Sequence, residues 1–209
     1  KINFAFYECL GLKGWDILEK TFQYIGQDHF IIADAKRGDI GNTSMMYAKA
    51  VFDELKCDAI TVNPYMGADC AKPFMQEGKW VILLALTSNS GNADFQKQPL
   101  ANGRLVYEEV MQTSSVWGNT DNTMYVVGAT EPAELKKIRA AYPHHFFLVP
   151  GVGAQGGDLE KICEVGLNDE GGLLINASRS ILFASKETEF AKKAREEALR
   201  LNEVMSGFF

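Results

Sequence analysis

The stretch Phe30-Ile-Ile-Ala33 runs straight into Asp34-Ala-Lys36-Arg-Gly-Asp39-Ile40-Gly-Asn-Thr43. An apolar run of strand length meets a cluster of opposite charges with no turn residue between them. Strand side chains alternate with period two, so Asp34 and Lys36 share a side. Burying a lone charge is costly, so opposite charges at a strand end pair with each other or serve a ligand. The plain reading is a structural Asp–Lys ion pair, because such networks also perturb pKa values. Asp39 lies on the loop beyond Lys36, where it can return to the same site or reach a neighbouring subunit. Arg37-Gly38-Asp39 spells an adhesion tripeptide. Matches of three residues are frequent by chance, and a strand-end loop is a poor context for that role.

Outward from this segment the chain alternates. Further strand-like runs occur at Ala59–Val62, Trp80–Leu86, Met124–Val127, Phe146–Val149 and Leu173–Ile175. Helix-period segments lie at Trp15–Ile25, Ser44–Leu55, Pro132–Tyr142, Asp158–Val165 and Phe183–Val204. Trp15, Leu18, Phe22 and Ile25 fall on one helical face. Pro132 stands just inside a helix start with Glu134 in the first turn, and Asp158 is a good N-cap. Strands alternating with helices imply a parallel sheet with right-handed crossovers. The opening Lys1–Phe4 reads as the tail of a seventh strand. The expected fold is α/β, a single-domain (βα)8 TIM barrel over residues 1–209, with its first strand and most of its second missing from the N-terminus. An open doubly wound sheet is the alternative. In barrels the chemistry sits at the carboxyl ends of the strands, where Asp34 and Lys36 fall. Asn89–Gly103, rich in Ser, Asn, Gly and Gln, reads as a mobile loop.

The 209 residues are 46% hydrophobic and 23% charged, which is ordinary globular composition and excludes disordered and fibrous classes. The longest apolar run, Trp80 to Leu86, is too short to span a membrane. A net charge of −6 argues against a nucleic-acid or basic membrane-surface binder, though not against a local anion pocket. The cysteines, Cys9, Cys57, Cys70 and Cys163, form no CxxC pair, and a structural zinc site is not expected. They read as reduced, buried small hydrophobes of a cytoplasmic protein. The chain opens on Lys1 with no signal peptide, so a natural start upstream is expected.

A second polar region is Pro150-Gly-Val-Gly-Ala-Gln155-Gly-Gly157-Asp158, which follows one strand and opens a helix. Glycines let the backbone approach an anion, and a helix N-terminus presents free N–H groups. The next strand ends in Asn176-Ala-Ser178-Arg179-Ser180, and an arginine can grip a phosphate with two parallel hydrogen bonds. Barrels commonly build a phosphate site from the loops after their last two strands. The glycine pattern alone is weak and also fits a tight turn; Arg179 strengthens it. Thr87-Ser88-Asn89-Ser90-Gly91 could bind a polar ring or simply cap a turn. Asn63–Gly67 reads as turn chemistry, and His144-His145 as surface.

These residues resemble the orotidine 5′-phosphate decarboxylase family. The resemblance covers essentially the whole chain in order. Its markers are Ala5-Phe-Tyr-Glu8, Asp34-Ala-Lys-Arg-Gly-Asp-Ile-Gly41, Thr61-Val-Asn-Pro-Tyr65, Thr87-Ser-Asn89, Val127-Gly-Ala-Thr130, Pro150 to Gly157 and Ser178-Arg-Ser180, in the wording of the bacterial subgroup with the AKRGDIG form. The resemblance implies an eight-stranded βα barrel working as a homodimer on a nucleotide substrate, without metal or organic cofactor. It implies Lys36 as the general acid at C6 of the pyrimidine and Asp34 beside the substrate carboxylate. It implies that Lys1 hydrogen-bonds the ribose and Asp34, and that Asp39, Ile40 and Thr43 serve the partner subunit's site. Ser88 would read the pyrimidine edge, with Pro150, Gln155 and Arg179 at the phosphate. The first strand, carrying the family's ribose-binding aspartate, has no counterpart here. Two rivals are a Mg²⁺-dependent decarboxylase of sugar-phosphate keto acids, which shares the Asp-x-Lys-x-x-Asp pattern, and a non-catalytic phosphate-ligand-binding barrel.

Overall fold

A computed structural model describes residues 1–26, 28–152 and 157–209. Among them, strands β1 (Ile2–Asn3), β2 (Ile32–Arg37), β3 (Ala59–Val62), β4 (Trp80–Leu86), β5 (Thr123–Val127), β6 (Phe147–Pro150) and β7 (Leu173–Asn176) lie in one sheet in chain order. The opening residues do form a seventh strand, pairing Ile2 with Ala33 and Asn3 with Asp34 in parallel. Helices intervene between all successive strands, so parallel neighbours are joined by the crossovers such a sheet requires. Contacts divide the chain into one compact unit of Lys1–Ala85 with Leu100–Tyr125 and another of Leu86–Pro99 with Val126–Phe209.

In the first unit, β3 is buried along its whole length, as a strand covered on both faces must be. Helix α1 (Ala5–Glu8) leads into α2 (Leu12–Ile25), which buries Gly14, Leu18 and Phe22. Phe4 is buried and meets the Trp15 ring edge-on at 5.9 Å. Gly14 has to be glycine, since a Cβ there would stand 1.7 Å from the Tyr7 carbonyl oxygen. The expected helix Ser44–Leu55 is two pieces. Helix α3 (Gly41–Ala48) widens into a π-helical turn at Lys49–Glu54 that buries Val51 and Phe52. Lys56 then turns left-handed at φ 56° and ends it. After α4 (Ala68–Ala71), α5 (Val106–Ser114) begins where Glu108 accepts the Leu105 N–H at 2.7 Å.

In the second unit β6 and β7 pair in parallel from Phe147↔Leu173 to Pro150↔Asn176. Helices α6 (Pro132–Ala141) and α7 (Leu159–Gly166) flank them. Arg139 is buried and ties this unit together. Its Nε donates to Gly166 O at 2.7 Å, Nη1 to His145 O at 2.7 Å, and Nη2 to Gly172 O at 2.8 Å, while the guanidinium stacks 4.0 Å from the Phe147 ring. Burial pulls its pKa down to about 10. The long helix expected over Phe183–Val204 begins only at Phe190. Helix α8 (Ser178–Leu182) stops, and α9 (Phe190–Ser206) starts afresh. Between them the Ser185 hydroxyl accepts the Glu187 N–H at 3.0 Å, a local bond that competes with helix continuation.

One further expectation is revised. Cys57, Cys70 and Cys163 are buried, but Cys9 is exposed at the end of α1. Asn89–Gly103 contains a 3₁₀ turn over Ser90–Asp94 and a dense set of side-chain hydrogen bonds described below. No helix among the described residues is long and apolar enough to cross a membrane.

Candidate active site

The charged strand end is built by an irregularity in the β2–β3 ladder. Ala33 pairs with Ile60 and Arg37 with Val62, so Asp34, Ala35 and Lys36 all stand opposite Thr61 alone. A bulge of this kind re-aims side chains and leaves backbone groups outside the ladder. Lys36 adopts a left-handed φ of 46°, a conformation that costs a non-glycine residue about 1–3 kcal/mol and persists only where its surroundings enforce it. Asp34 and Lys36 do meet, with Lys36 Nζ donating to Asp34 Oδ1 at 2.5 Å. They do so across the bulge rather than by plain alternation.

Asp34 is the buried centre, with its side chain 6% exposed. Lys1 Nζ donates to its Oδ2. Oδ1 accepts from Lys36 and, at 3.1 Å, from the Thr61 hydroxyl. Burial alone would push this carboxyl up. The Lys1 charge, with hydrogen bonds from Lys1 and Lys36, outweighs burial and holds it below the ordinary carboxylate range. Lys36 is 49% exposed, so its ammonium can reach both Asp34 and a ligand. The neighbouring Arg37 is turned away. It pairs with Glu8 and lies over the Phe4 and Tyr47 rings at 5.8 and 5.1 Å.

Asp39 stays outside this cluster. Its carboxylate accepts the Ile40 N–H at 2.8 Å, and among the described residues no ion pair joins it to Lys36. Ile40 is 54% exposed at the start of α3, and Thr43 is exposed within that helix. Ile40 also lines a cavity of about 390 Å³ with Gly41, Asp69, Lys72 and Pro73.

In the second unit, Thr87 is held from two sides. The Gln96 Oε1 accepts its N–H at 2.8 Å and Asn92 Nδ2 donates to its carbonyl at 2.8 Å. Ser88 follows, half-buried, and a Cβ on Gly128 would come within 2.8 Å of its backbone. Pro150 ends β6, and its carbonyl accepts the Ala129 N–H at 3.0 Å. Gly157 abuts Ala129 and the Gly151 carbonyl so closely that a Cβ would stand 2.8 Å from each. Asp158 caps α7 by accepting the Lys161 N–H at 3.3 Å, as expected. Arg179 is exposed in the first turn of α8. Gln155 lies outside the described residues.

Sequence reading placed Thr61 in a family marker without giving it a role, and left out the pair Asn92 and Gln96. Thr61 looks like a β-branched strand residue, and only its place opposite the bulge marks it. Among the described residues no group of three or more His, Cys, Asp or Glu side chains is placed to hold a metal ion.

Comparison with known proteins identifies the family. The family model described as "Orotidine 5'-phosphate decarboxylase / HUMPS family" matches residues 1–194. An orotidine 5′-phosphate decarboxylase of Phocaeicola vulgatus is 54% identical over 209 residues, covering 98% of this chain and 77% of that protein. The Bacteroides fragilis protein of the same name is 53% identical, covering 99% and 77%. Among solved structures, Leishmania donovani OMP decarboxylase superposes with a TM-score of 0.85 at 36% identity, over 98% of this chain and 80% of that one. Leishmania donovani UMP synthase gives 0.86 at 38% identity, over 97% of this chain and 45% of that one. The fold is therefore the α/β TIM-barrel class expected from the alternation of strands and helices. Parallel strands in chain order, the charged end of β2 and these matches together establish that the chain belongs to the orotidine 5′-phosphate decarboxylase family.

Proposed function

We propose that the chain converts orotidine 5′-phosphate to uridine 5′-phosphate and CO₂. One observation carries the reading: in a chain of this family, a half-exposed lysine ammonium is held against a buried aspartate at a strand's carboxyl end. When CO₂ leaves C6, the electron pair of the broken bond stays in the ring plane, where π delocalisation cannot reach it. A fixed ammonium stabilises that charge. Lys36 then gives C6 its proton and regains one from water. Asp34 beside the departing carboxylate disfavours the bound substrate. Two like charges 4 Å apart repel by about 4 kcal/mol at an effective dielectric of about 20. Full relief of that repulsion is worth about three orders of magnitude in rate.

The remaining roles follow the family pattern. Lys1 bonds the ribose and orients Asp34, Ser88 reads the pyrimidine edge, and Pro150, Gln155 and Arg179 receive the phosphate. Asp39, Ile40 and Thr43 serve the partner's site in a homodimer. The protein works as one barrel domain in the cytoplasm, with no cofactor and no nucleic-acid or membrane partner.

The test follows loss of orotidine 5′-phosphate absorbance with and without a chelator. Turnover that survives chelation excludes the metal-dependent rival. Binding of a uridylate analogue without turnover supports the non-catalytic one. Lys36→Ala removes both the cation and the proton donor, and activity should fall by at least about a thousandfold. Activity within tenfold of the parent defeats the mechanism.

A further inference from the structure

We propose that Thr61 is a positioning residue for the Asp34–Lys36 pair, its hydroxyl replacing the ladder contact that the β2 bulge removes. This rests on the decarboxylase reading for its catalytic meaning, while the geometry stands by itself. Three residues of β2 face one residue of β3, so at least one backbone group of the bulge needs a partner outside the ladder. The Lys36 N–H finds it in Thr61 Oγ1, at 2.9 Å. A hydroxyl that accepts there still has one proton to give. It gives it to Asp34 Oδ1 at 3.1 Å. One fully buried oxygen thus touches the backbone of the proposed acid and the carboxylate of its partner.

The two bonds act together. The first holds Lys36 in its left-handed conformation, which directs the side chain back toward Asp34. The second adds a neutral donor to a carboxylate that already faces the Lys1 and Lys36 ammonium groups, the charged groups paired with it among the described residues. Valine has the shape of threonine without the hydroxyl, so Thr61→Val deletes both bonds with little change of volume. Serine keeps the hydroxyl and drops the methyl. The inference is that the hydroxyl, not the packing, is what the site uses.

The experiment compares the parent, Thr61→Val and Thr61→Ser. Two readouts are taken: titration of the Asp34 carboxyl by carbon NMR on aspartate-labelled protein, and kcat against pH with orotidine 5′-phosphate. In Thr61→Val the carboxyl should titrate at higher pH than in the parent, since a donor to its charged form is gone. Its kcat should fall about 10- to 100-fold, the scale of losing hydrogen bonds to a charged site. The acid limb of the profile should move up with the carboxyl, which a purely structural lesion would not produce. Thr61→Ser should restore the titration and recover kcat to within about threefold of the parent. An unchanged Asp34 titration in Thr61→Val overturns the proposal, as does a kcat within threefold of the parent. A Thr61→Ser protein as impaired as Thr61→Val overturns it too, because the methyl would then be the determinant. Should Thr61→Val fail to fold, Thr61→Ser decides alone, and a loss above tenfold overturns the proposal. A parent without decarboxylase activity would defeat the proposed function, and the carboxyl titration would still decide the role of Thr61.

Discussion

Replacing Asp34 with asparagine should destabilise the protein in a way that depends on pH. The change keeps the shape and removes the charge that faces Lys1 and Lys36. Asp34 and Lys1 are 6% and 9% exposed, so this is a buried ion pair. Removing one partner of such a pair costs about 3–5 kcal/mol, because the other charge is left uncompensated. Lys36 is 49% exposed and can turn to water, so its share is about 1 kcal/mol or less. The expected loss at pH 7 is therefore about 3–5 kcal/mol, a drop in Tm of about 6–20 °C at about 2–4 °C per kcal/mol. The sign with pH is fixed by the Asp34 carboxyl, which folding holds below its ordinary value. Its contribution is complete above the unfolded carboxylate pKa of about 3.9 and disappears as pH falls through the lower folded value. Thermal denaturation of both proteins from pH 7 downward should give a constant gap to about pH 5, narrowing below about pH 4. An Asp34→Asn protein as stable as the parent at pH 7 would refute the reasoning, since desolvation of Asp34 would then outweigh its pairing. A gap that did not narrow in acid would show that the lost stability came from packing and not from charge.

Arg179→Ala should raise KM for orotidine 5′-phosphate about 10- to 100-fold, the scale of a charge-assisted contact, and leave use of orotidine nearly unchanged. Equal losses on both substrates would make Arg179 structural. Mixing Lys36→Ala and Asp39→Ala proteins, each nearly inactive, should restore activity toward one native site per heterodimer. No recovery after proven subunit exchange would place Asp39 in its own subunit's site. Gly14→Ala should cost about 3 kcal/mol or more in thermal denaturation, because the new Cβ meets the Tyr7 carbonyl backbone. A Tm within 2 °C of the parent would mean that α1 moves aside freely.

The strands were legible because most contain a short apolar run, and β1 was visible even as a two-residue tail, but β2 starts at Ile32 and carries on past the run Phe30–Ala33 through its charged residues to Arg37. The helix boundaries were less so. Helices α1 and α4 have four residues each, too few to show a 3.6-residue period. Helix α5 starts on a backbone-to-Glu108 bond rather than on a capping side chain at the N-cap, so no start signal stands out. Asp34 and Lys36 were legible as a pair because charge at the end of an apolar strand demands a partner. Thr61 was not, because its role is set by register, and register depends on tertiary pairing. Asn92 and Gln96 were read as loop polarity. Their function is to hold both backbone groups of Thr87, which requires knowing how the loop folds back.

The four thiols divide in a useful way. Cys9 is open to solvent, while Cys57 and Cys70 lie inside one compact unit and Cys163 inside the other. Burial pushes the Cys57 thiol up to about 12, so it is inert to alkylation at neutral pH while folded. A maleimide added to the native chain should therefore react quickly once and then wait. Each slower increment in mass records an opening that bares an interior sulfur, and digestion shows which sulfur it was. The distribution of cysteines thus equips the chain with its own clock for local unfolding. It times each of the two units separately, with no engineered label.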